Sequence, residues 1–340
     1  MASRRPTIGA SAAAERRRFR KKKENALTRT HHVFRKLIER AAALEPIRVA
    51  VCHPCSDVAM LGAAGAAREG LIEPVLVGPP ARMRLAAKRA RVALDRYRIE
   101  ATPHSHASAA RAVELCRSGK CEALMKGSLH TDELMHEVMR ADTGLRTERR
   151  VSHVYVLDVP TYPRTLLVTD AAINIYPTLD DKVDIVQNAI DLAHILGIAR
   201  PKVAILSAVE TVTAKIASTI DAAALCKMAD RGQISGGIVD GPLAFDNAVS
   251  IRAAKIKHID SPVAGSADVL AVPDLESGNM LAKQLEYLAD AQAAGIVLGA
   301  RVPIILTSRS DGAKTRLASC AVAVLVAHAR RKGRRKAVLA

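Results

Sequence analysis

Short runs of aliphatic residues alternate with longer stretches of helical periodicity from residue 47 onwards. The first run, "IRVAVC" at 47–52, is followed by a stretch that opens on Ser56 or Asp57 and closes on Gly70, residue types that begin and end helices. Ten runs predict strands, at 47–52, 74–78, 122–128, 151–159, 165–170, 202–208, 236–241, 267–272, 294–299 and 302–306. Helices are predicted between most of them, including 180–196, 211–231, 277–294 and 313–330. Apolar strands separated by helices are typical of a mostly parallel sheet covered on both faces.

Two places interrupt this alternation. Residues 151–170 put two strands back to back around "PTYPR", and residues 294–306 do the same around Gly299 to Arg301. We interpret them as the points where the chain leaves one domain and returns to it. The predicted fold class is therefore α/β, with two doubly wound, mostly parallel-sheet domains and an active-site cleft between them. The predicted divisions are a basic disordered tail at 1–30, a discontinuous first domain at 31–155 plus 300–330, a second domain at 156–299 and a basic tail at 331–340.

Composition and charge narrow the function classes. The chain has 340 residues, 49% of them hydrophobic, but only 2% are aromatic and none is tryptophan, so its cores must be aliphatic. Few aromatic rings also weaken the case for base stacking on single-stranded nucleic acid. Of the net charge of +17, +8 lies in residues 1–30 and +6 in residues 330–336, which leaves +3 for the body. We therefore expect nucleic acid to bind at most weakly, through the tails, and to be released by salt.

The expected location is the cytoplasm. No apolar run approaches the length of about eighteen residues that a membrane span needs, and the first tail lacks the apolar segment of a secretory signal. The same tail is rich in arginine and poor in acids, as transit peptides are, so a transit peptide is an alternative interpretation of it. Cys52 and Cys55 have CxxC spacing after a strand, but we expect ordinary buried thiols there rather than a redox pair. No second CxxC completes a zinc site, so no metal is expected.

Polar residues at the strand ends carry the candidate chemistry, because ligands of open α/β sheets bind beyond the carboxyl ends of the strands. Lys126 and Ser128 follow one strand in "KGSLHTDE", a pattern that favours phosphate, although a capped helix with a solvated lysine explains it equally well. Arg146 and Arg150 lie in "TGLRTERR", where guanidinium groups could bind phosphate bidentately or simply face water.

Two further strand ends carry acids, glycines and an asparagine. They are Asp240 and Gly241 after one strand, and Pro273, Asp274, Gly278 and Asn279 after another. Such residues could hold the hydroxyl groups of a ligand or orient an arginine, and we assign them to the substrate cleft, although ordinary turn and cap residues would look the same. The Walker A, GxGxxG, HExxH and GxSxG patterns do not occur.

The strongest single stretch is "RVPIILTSRSDGAKTRLAS" at 301–319, a buried strand that runs into Ser308, Arg309 and Asp311 before a helix. A hydroxyl, a guanidinium and a carboxylate at the end of a strand suit an anion site.

Taken in order, several segments together resemble the phosphate acetyltransferase and phosphate butyryltransferase family. They are "HPCSD", "GLIEPVLVGP", "LMKGSLHTDELM", "GLRTERRVSHVYVLDVP", "VDGPLAFDNAVS", "VPDLESGNML" and "PIILTSRSDGAKTRLAS", spread over about residues 50–325. The butyryl-type branch is the one that they resemble most, including the acyltransferase half of proteins fused to an enoyl-CoA hydratase. The resemblance implies two α/β domains with a cleft between them, a homodimer, and the reaction of acyl-CoA with phosphate to give acyl phosphate and CoA. It implies CoA and phosphate as substrates, with acetyl or butyryl groups transferred and no metal or redox cofactor.

The resemblance also implies roles for particular residues. Ser308 and Arg309 match the Ser-Arg pair of the family's active site, and Arg146 and Arg150 are candidates for its phosphate-binding arginines. The acetyltransferase branch has an aspartate seven residues after the matching serine, where this chain has Thr315.

Asp311 is the nearest acid to that position, and we expect it to exchange the proton of the CoA thiol. A thioester is already activated, so phosphate can attack it directly in a ternary complex, provided that the site orients both reactants and stabilises the oxyanion. Two alternatives remain at this point. One is a dehydrogenase-like enzyme on a related two-domain fold, and the other is a nucleic-acid or scaffold protein that acts through its tails.

Overall fold

The computed structural model describes residues 32–308 and 311–339. The basic segment predicted at 1–30 and the candidate residue Arg309 lie outside the described residues. The strands are β1 Ile47–Cys52, β2 Ile72–Gly78, β3 Arg98–Ala101, β4 Ala123–Lys126, β5 Ser152–Asp158, β6 Leu166–Thr169, β7 Lys202–Leu206, β8 Ile238–Leu243, β9 Val269–Ala271, β10 Gln292–Leu298 and β11 Ile304–Ile305.

The helices are α1 His32–Ala42, α2 Asp57–Arg68, α3 Pro80–Ala90, α4 Ser105–Arg117, α5 Thr131–Met139, α6 Leu179–Leu196, α7 Ala217–Asp230, α8 Phe245–Val249, α9 Ile251–Ile256, α10 Leu275–Leu288 and α11 Ala313–Leu339. A short 3-10 turn, Leu94–Arg96, precedes β3. No helix in the described part of the chain is long and apolar enough to cross a membrane.

The strands within 32–308 and 311–339 form one sheet of eleven, in the order β3-β2-β1-β4-β11-β10-β5-β6-β9-β7-β8. Pairing is parallel on both sides, and it is antiparallel only in the middle, between β11 and β10, β10 and β5, and β5 and β6. The predicted mixed α/β architecture with a mostly parallel sheet is therefore confirmed. The two interruptions of the sequence pattern are the antiparallel pairs.

These antiparallel pairs decide where polar loops meet. Because β10 runs opposite to β11 and β5, and β5 runs opposite to β6, the strands in the two halves of the sheet point in opposite directions. Loops that follow β4 and β11 approach the middle of the sheet from one half. Loops that follow β6 and β9 approach it from the other half. Side chains of β5 lie between them, so residues from distant parts of the sequence converge over the central strands.

Aliphatic side chains fill three clusters around this sheet. One cluster includes Leu124 and Ile304 from the first half, and another includes Leu206 and Leu270 from the second. The third extends across both halves and contains the middle of α11, where every residue from Cys320 to Ala327 is buried. Because this cluster is continuous, it connects the two predicted domains. The predicted boundaries between them, at 155/156 and 299/300, stay a prediction.

The segment predicted as a basic tail at 331–340 begins inside α11, which continues to Leu339. Arg330 Nη1 donates to the carbonyl of Ala300 at 3.0 Å, and the guanidinium of Arg331 forms two hydrogen bonds with the carboxylate of Glu122. Arg330, just before this segment, and Arg331, its first residue, therefore pack against the body of the protein.

Candidate active site

The loop that follows β11 is closed by hydrogen bonds to its own backbone. The backbone N–H of Ser308 donates to Oδ2 of Asp311 at 2.6 Å, so the carboxylate reaches back to the end of the strand. Asp311 is only 6% exposed, and burial raises the pKa of its carboxyl, against the opposing effects of the Ser308 N–H and of Lys283. This carboxyl therefore binds a proton more readily than an exposed aspartate does.

Arg316, in the first turns of α11, holds the same loop from behind. Its Nη1 donates to Oγ1 of Thr307 at 2.8 Å, its Nη2 to the carbonyl of Ser308 at 2.8 Å, and its Nε to the carbonyl of Asp311 at 3.3 Å. The residue is 3% exposed, and a glycine at position 62 makes room for it, since a Cβ there would lie 2.7 Å from Cδ of Arg316. The guanidinium therefore fixes the backbone that presents Ser308.

Ser308 opens onto a cleft of about 450 Å³ over the middle of the sheet. Its lining residues come from both halves of the sheet and from β5 between them: Lys126, Leu129, His130, Thr131, Asp132, His153, Tyr155, Ala172, Leu275, Asn279, Lys283, Leu306, Thr307 and Ser308. Of the candidates named from the sequence, Lys126, Asn279 and Ser308 meet here, and Asp311 is bonded to Ser308 at the edge.

Lys126 is 4% exposed at the end of β4. The next residue must be a glycine, because a Cβ on Gly127 would lie 2.3 Å from the carbonyl oxygen of Cys52. This close approach brings the loop after β4 against the loop after β1.

The candidate Ser128 stabilises that approach rather than lining the cleft. Its hydroxyl donates to the carbonyl of His53 at 2.8 Å and accepts from the N–H of Cys55 at 3.0 Å. Burial raises the pKa of both the Cys52 and the Cys55 thiol, as expected of ordinary buried cysteines rather than of a reactive pair.

Lys283 contributes a second cation from the opposite wall of the cleft. Its Nζ lies 2.7 Å from Oε2 of Glu286 on the same helix and 3.9 Å from Oδ1 of Asp311 on the other wall. Burial lowers the pKa of Lys283, but the hydrogen bond to Glu286 and the nearby acidic groups outweigh it, so the net shift is upward. The side chain is therefore an ammonium cation.

His153 and Tyr155 form the floor of the cleft. Their rings meet edge to face, with centroids 4.4 Å apart. His153 is completely buried, and none of the described residues supplies a hydrogen-bond partner to either of its ring nitrogens. Burial, with a smaller contribution from Lys283, lowers the pKa of His153 to about 3, so the imidazole is neutral at physiological pH.

The candidates at the start of α10 build the second wall. Asp274 is the N-cap of the helix, and its Oδ1 accepts from the N–H of Ser277 at 2.8 Å. Asn279 Nδ2 donates to the carbonyl of Ala171 at 3.2 Å. Gly278 packs so closely on the loop after β6 that a Cβ there would lie 2.6 Å from the carbonyl oxygen of Asp170.

Replacing Gly278 by alanine is expected to lower the free energy of unfolding by about 1–3 kcal/mol, because the new methyl group meets backbone that cannot move aside. Chemical denaturation measures the change. Gly65→Ala is the matched control, since a Cβ on that helical glycine would have nothing within 4 Å of it. The control should gain up to about 1 kcal/mol from helix propensity. Equal effects at both positions would contradict the close packing of Gly278.

Three other candidates lie apart from the cleft lining. Asp240 Oδ1 accepts from the N–H of Gly241 at 2.9 Å, and a Cβ on Gly241 would lie 2.6 Å from the carbonyl oxygen of Ile205. Pro273 borders a small void beside Lys182. Asp240 and Gly241 lie inside β8 rather than after a strand as predicted, and Pro273 lies beyond the end of β9. Their contact with a ligand stays a prediction.

Arg146 and Arg150 precede β5, at its amino end. Lys126 is at the carboxyl end of β4 and Ser308 lies beyond that of β11, and both strands run in the same direction as β5. Arg150 Nε donates to Oδ1 of Asn174 at 2.7 Å, and its Nη1 lies 3.3 Å from Oδ1 of Asp181. Arg146 borders a separate surface depression. Neither residue is among those that line the cleft, and their assignment to phosphate stays a prediction.

Sequence reasoning missed several residues that the fold brings to this site, among them His153, Lys283 and Arg316. His153 lies in the apolar run "VSHVYVLDV", and its only signal is a polar side chain within a fully buried strand. Lys283 and Arg316 lie in helices where a basic residue usually faces water. Only the packing of the loops against these helices identifies them.

The arrangement defines an α/β enzyme whose cleft combines two lysines, a serine at a strand end and a buried carboxyl, which suits transfer of an acyl group to or from an anion. The comparisons agree with this class. The family model described as "Phosphate acetyl/butaryl transferase" matches residues 100–324. The chain belongs to the phosphate acetyl/butyryltransferase family and is an acyltransferase.

Two relatives show the range of the family. A phosphate acetyltransferase of Rhizobium meliloti is 62% identical over 305 residues, which cover 90% of this chain and 96% of that protein. A phosphate butyryltransferase of Clostridium acetobutylicum is 39% identical over 294 residues, which cover 86% of this chain and 98% of that protein. By these identities the chain is more similar to the acetyltransferase than to the butyryltransferase, whereas its motifs resemble the butyryl-type branch most.

The solved structures support the same fold. A branched-chain phosphotransacylase from Enterococcus faecalis V583 matches with a TM-score of 0.73 at 29% identity, covering 83% of this chain and 99% of the other. A 4-hydroxythreonine-4-phosphate dehydrogenase from Klebsiella pneumoniae matches with a TM-score of 0.51 at 14% identity, covering 83% and 99%. The second likeness shows the fold alone, so the dehydrogenase alternative has no support beyond architecture.

Proposed function

We propose that the chain transfers an acyl group between CoA and inorganic phosphate, so that acyl-CoA and phosphate give acyl phosphate and CoA. The observation that carries this proposal is the Ser308–Asp311 loop, which Arg316 holds against a cleft with Lys126 and Lys283 on its two walls. The identity of 62% to a phosphate acetyltransferase favours acetyl as the group transferred, with butyryl as the second choice.

The proposed mechanism is direct attack in a ternary complex. An oxygen of phosphate attacks the thioester carbonyl, the C–O bond forms, and the C–S bond breaks to release CoA thiolate. Ser308 donates a hydrogen bond to the oxyanion that develops on the carbonyl oxygen. Asp311 exchanges the thiol proton, which the raised pKa of its carboxyl supports. No covalent enzyme intermediate and no metal or redox cofactor takes part, because the thioester is already activated.

The proposal includes a homodimer in the cytoplasm, where acyl-CoA and phosphate are both available. Exposed apolar side chains on α10 support an interface: Met280 is 60% exposed, Tyr287 is 66% exposed and Leu288 is 84% exposed. Sedimentation of the full chain would measure its oligomeric state directly.

A phosphate-dependent assay tests the proposed function. We expect the full chain to release CoA from acetyl-CoA only when phosphate is present, and to form acetyl phosphate in equal amount. Thiol titration and hydroxamate formation measure the two products, and propionyl-CoA and butyryl-CoA are compared in parallel. Release that does not depend on phosphate, or no release from any of the three thioesters, would contradict the proposal.

A further inference from the structure

Lys283, like Lys227, pairs with an acid three residues later on its own helix, but it also lies close to a carboxylate in the other half of the sheet. Its ammonium group lies on α10, in the second half of the sheet, but it reaches 3.9 Å from Asp311, which belongs to the loop after β11 in the first half. The side chain is 29% exposed and lines the cleft that Ser308 also lines. It therefore spans the gap between the two walls.

The contacts of Lys283 leave its charge available to a ligand. Glu286 accepts one hydrogen bond at 2.7 Å, and an ammonium group has three N–H donors. The 3.9 Å separation from Asp311 is longer than a hydrogen bond. Tyr287 lies beneath the ammonium, with its ring centroid 5.7 Å from Nζ, and this contact helps to hold the charge at the edge of the cleft.

The surroundings also favour an anion at this position. Lys126 lies in the opposite wall, and the imidazole of His153 in the floor is neutral, so it adds no charge. The one carboxylate among the described lining residues is that of Asp132, in the first turn of α5. An anion between the two walls would therefore meet an ammonium group on each side, next to the hydroxyl-bearing residue Ser308.

We propose that Lys283 is a further catalytic residue, which binds the phosphate group that attacks the thioester. This inference rests on the proposed function. The ammonium keeps its proton throughout the reaction and takes no part in bond making. It places a phosphate oxygen near the thioester carbonyl carbon, which lies beside Ser308. Its positive charge also reduces the repulsion between the phosphate anion and the carboxylate of Asp311. We assign inorganic phosphate rather than the phosphates of CoA, because Lys283 lies beside the reacting loop and over the floor formed by His153 and Tyr155.

Substitution of Lys283 in the full chain tests the assignment. Lys283→Met is expected to raise the KM for inorganic phosphate by about tenfold or more, the loss of one charge-assisted hydrogen bond. The KM for acetyl-CoA should change by less than about twofold, which is too small a change for the loss of a charge-assisted hydrogen bond. Lys283→Arg should recover part of the affinity for phosphate, since it restores the charge in a different shape.

Lys227→Met is the matched control. Lys227 also lies on a helix and pairs with an acid three residues later, Asp230, at 2.7 Å, but it is 65% exposed and outside the cleft. Its replacement should leave both KM values unchanged. If Lys283→Met leaves the KM for phosphate within about twofold of the wild type, the assignment is wrong. If it raises the KM for acetyl-CoA instead, Lys283 binds a phosphate of CoA and the proposal is also overturned.

A binding measurement separates this inference from the proposed function. Inorganic phosphate should raise the thermal unfolding midpoint of the wild type and of Lys227→Met, but not that of Lys283→Met. A wild type that is stabilised by phosphate but releases no CoA would overturn the proposed reaction and leave the anion site intact. Equal stabilisation of all three proteins would overturn the site, whatever the activity.

Discussion

Replacing Arg316 by methionine is expected to lower kcat/KM for phosphate-dependent release of CoA by about 100- to 1,000-fold, because a displacement of about 1 Å in a reacting group has an effect of this size. Arg316 does not touch the cleft, so the loss should come from the loop that it holds. Without the guanidinium, Oγ1 of Thr307 and the carbonyl of Ser308 each lose a donor at 2.8 Å. The backbone that presents Ser308 and Asp311 keeps its internal hydrogen bond but loses its attachment to α11.

The control for this substitution lies on the same helix. Arg331 forms two hydrogen bonds to one partner, the carboxylate of Glu122, whereas Arg316 donates to three residues, and the contacts of Arg331 lie far from the Ser308 loop along α11. Arg331→Met should keep nearly the wild-type kcat/KM. Steady-state kinetics on both variants, with circular dichroism to confirm the fold, measures the difference. Arg316→Met with wild-type turnover would show that the loop keeps its active conformation without the hydrogen bonds from Arg316.

The parts of the fold that the sequence predicts are those where burial leaves a pattern. The run at 47–52 coincides with β1, and the adjacent runs at 151–159 and 165–170 contain the antiparallel strands β5 and β6. The pattern does not predict β3, Arg98–Ala101, because this edge strand is short and mostly exposed, and two of its four side chains are charged. An edge strand packs on one neighbour only, so its sequence records little of its structure.

Helix ends are predicted less well than helix positions. The predicted helix at 277–294 corresponds to α10, which starts at Leu275 and ends at Leu288, because Gln292 already begins β10. The predicted helix at 211–231 corresponds to α7, which starts only at Ala217. In both cases the end of the helix is set by the hydrogen-bond partners of the neighbouring loop, which a single sequence does not show.

The candidate site was predictable where its residues lie at or just beyond the carboxyl end of a strand. Lys126 is the last residue of β4 and Ser308 lies shortly after β11, and these two parallel strands bring their carboxyl ends to one edge of the sheet. The same logic fails for Lys283 and His153. Lys283 reaches the site from the middle of a helix in the other half of the sheet, and His153 projects from the face of a central strand. Both depend on the antiparallel strands in the middle, which place the two halves opposite each other.

His153 is expected to make the protein sensitive to mild acid. Its pKa falls from an ordinary value of 6.5 to about 3 in the folded state, mainly because the ring is buried. Between these two values the unfolded chain binds a proton that the folded chain does not, so the free energy of unfolding falls as the pH falls. The stabilisation is complete above pH 6.5 and is lost progressively below it. From pH 6.5 to 4.5 this one group should remove about 2 kcal/mol.

Comparison with His153→Leu isolates this contribution, because leucine has a similar volume and no proton to bind. Urea unfolding of both proteins across pH 4.5 to 6.5 should show a gap in stability that changes by about 2 kcal/mol. Other groups, including Asp311 with its raised pKa, titrate in both proteins and cancel in the difference. The gap should move in favour of the variant as the pH falls, since only the wild type gains a proton at position 153 on unfolding. A gap that stays constant with pH would mean that the imidazole titrates normally and that the floor of the cleft is open to water.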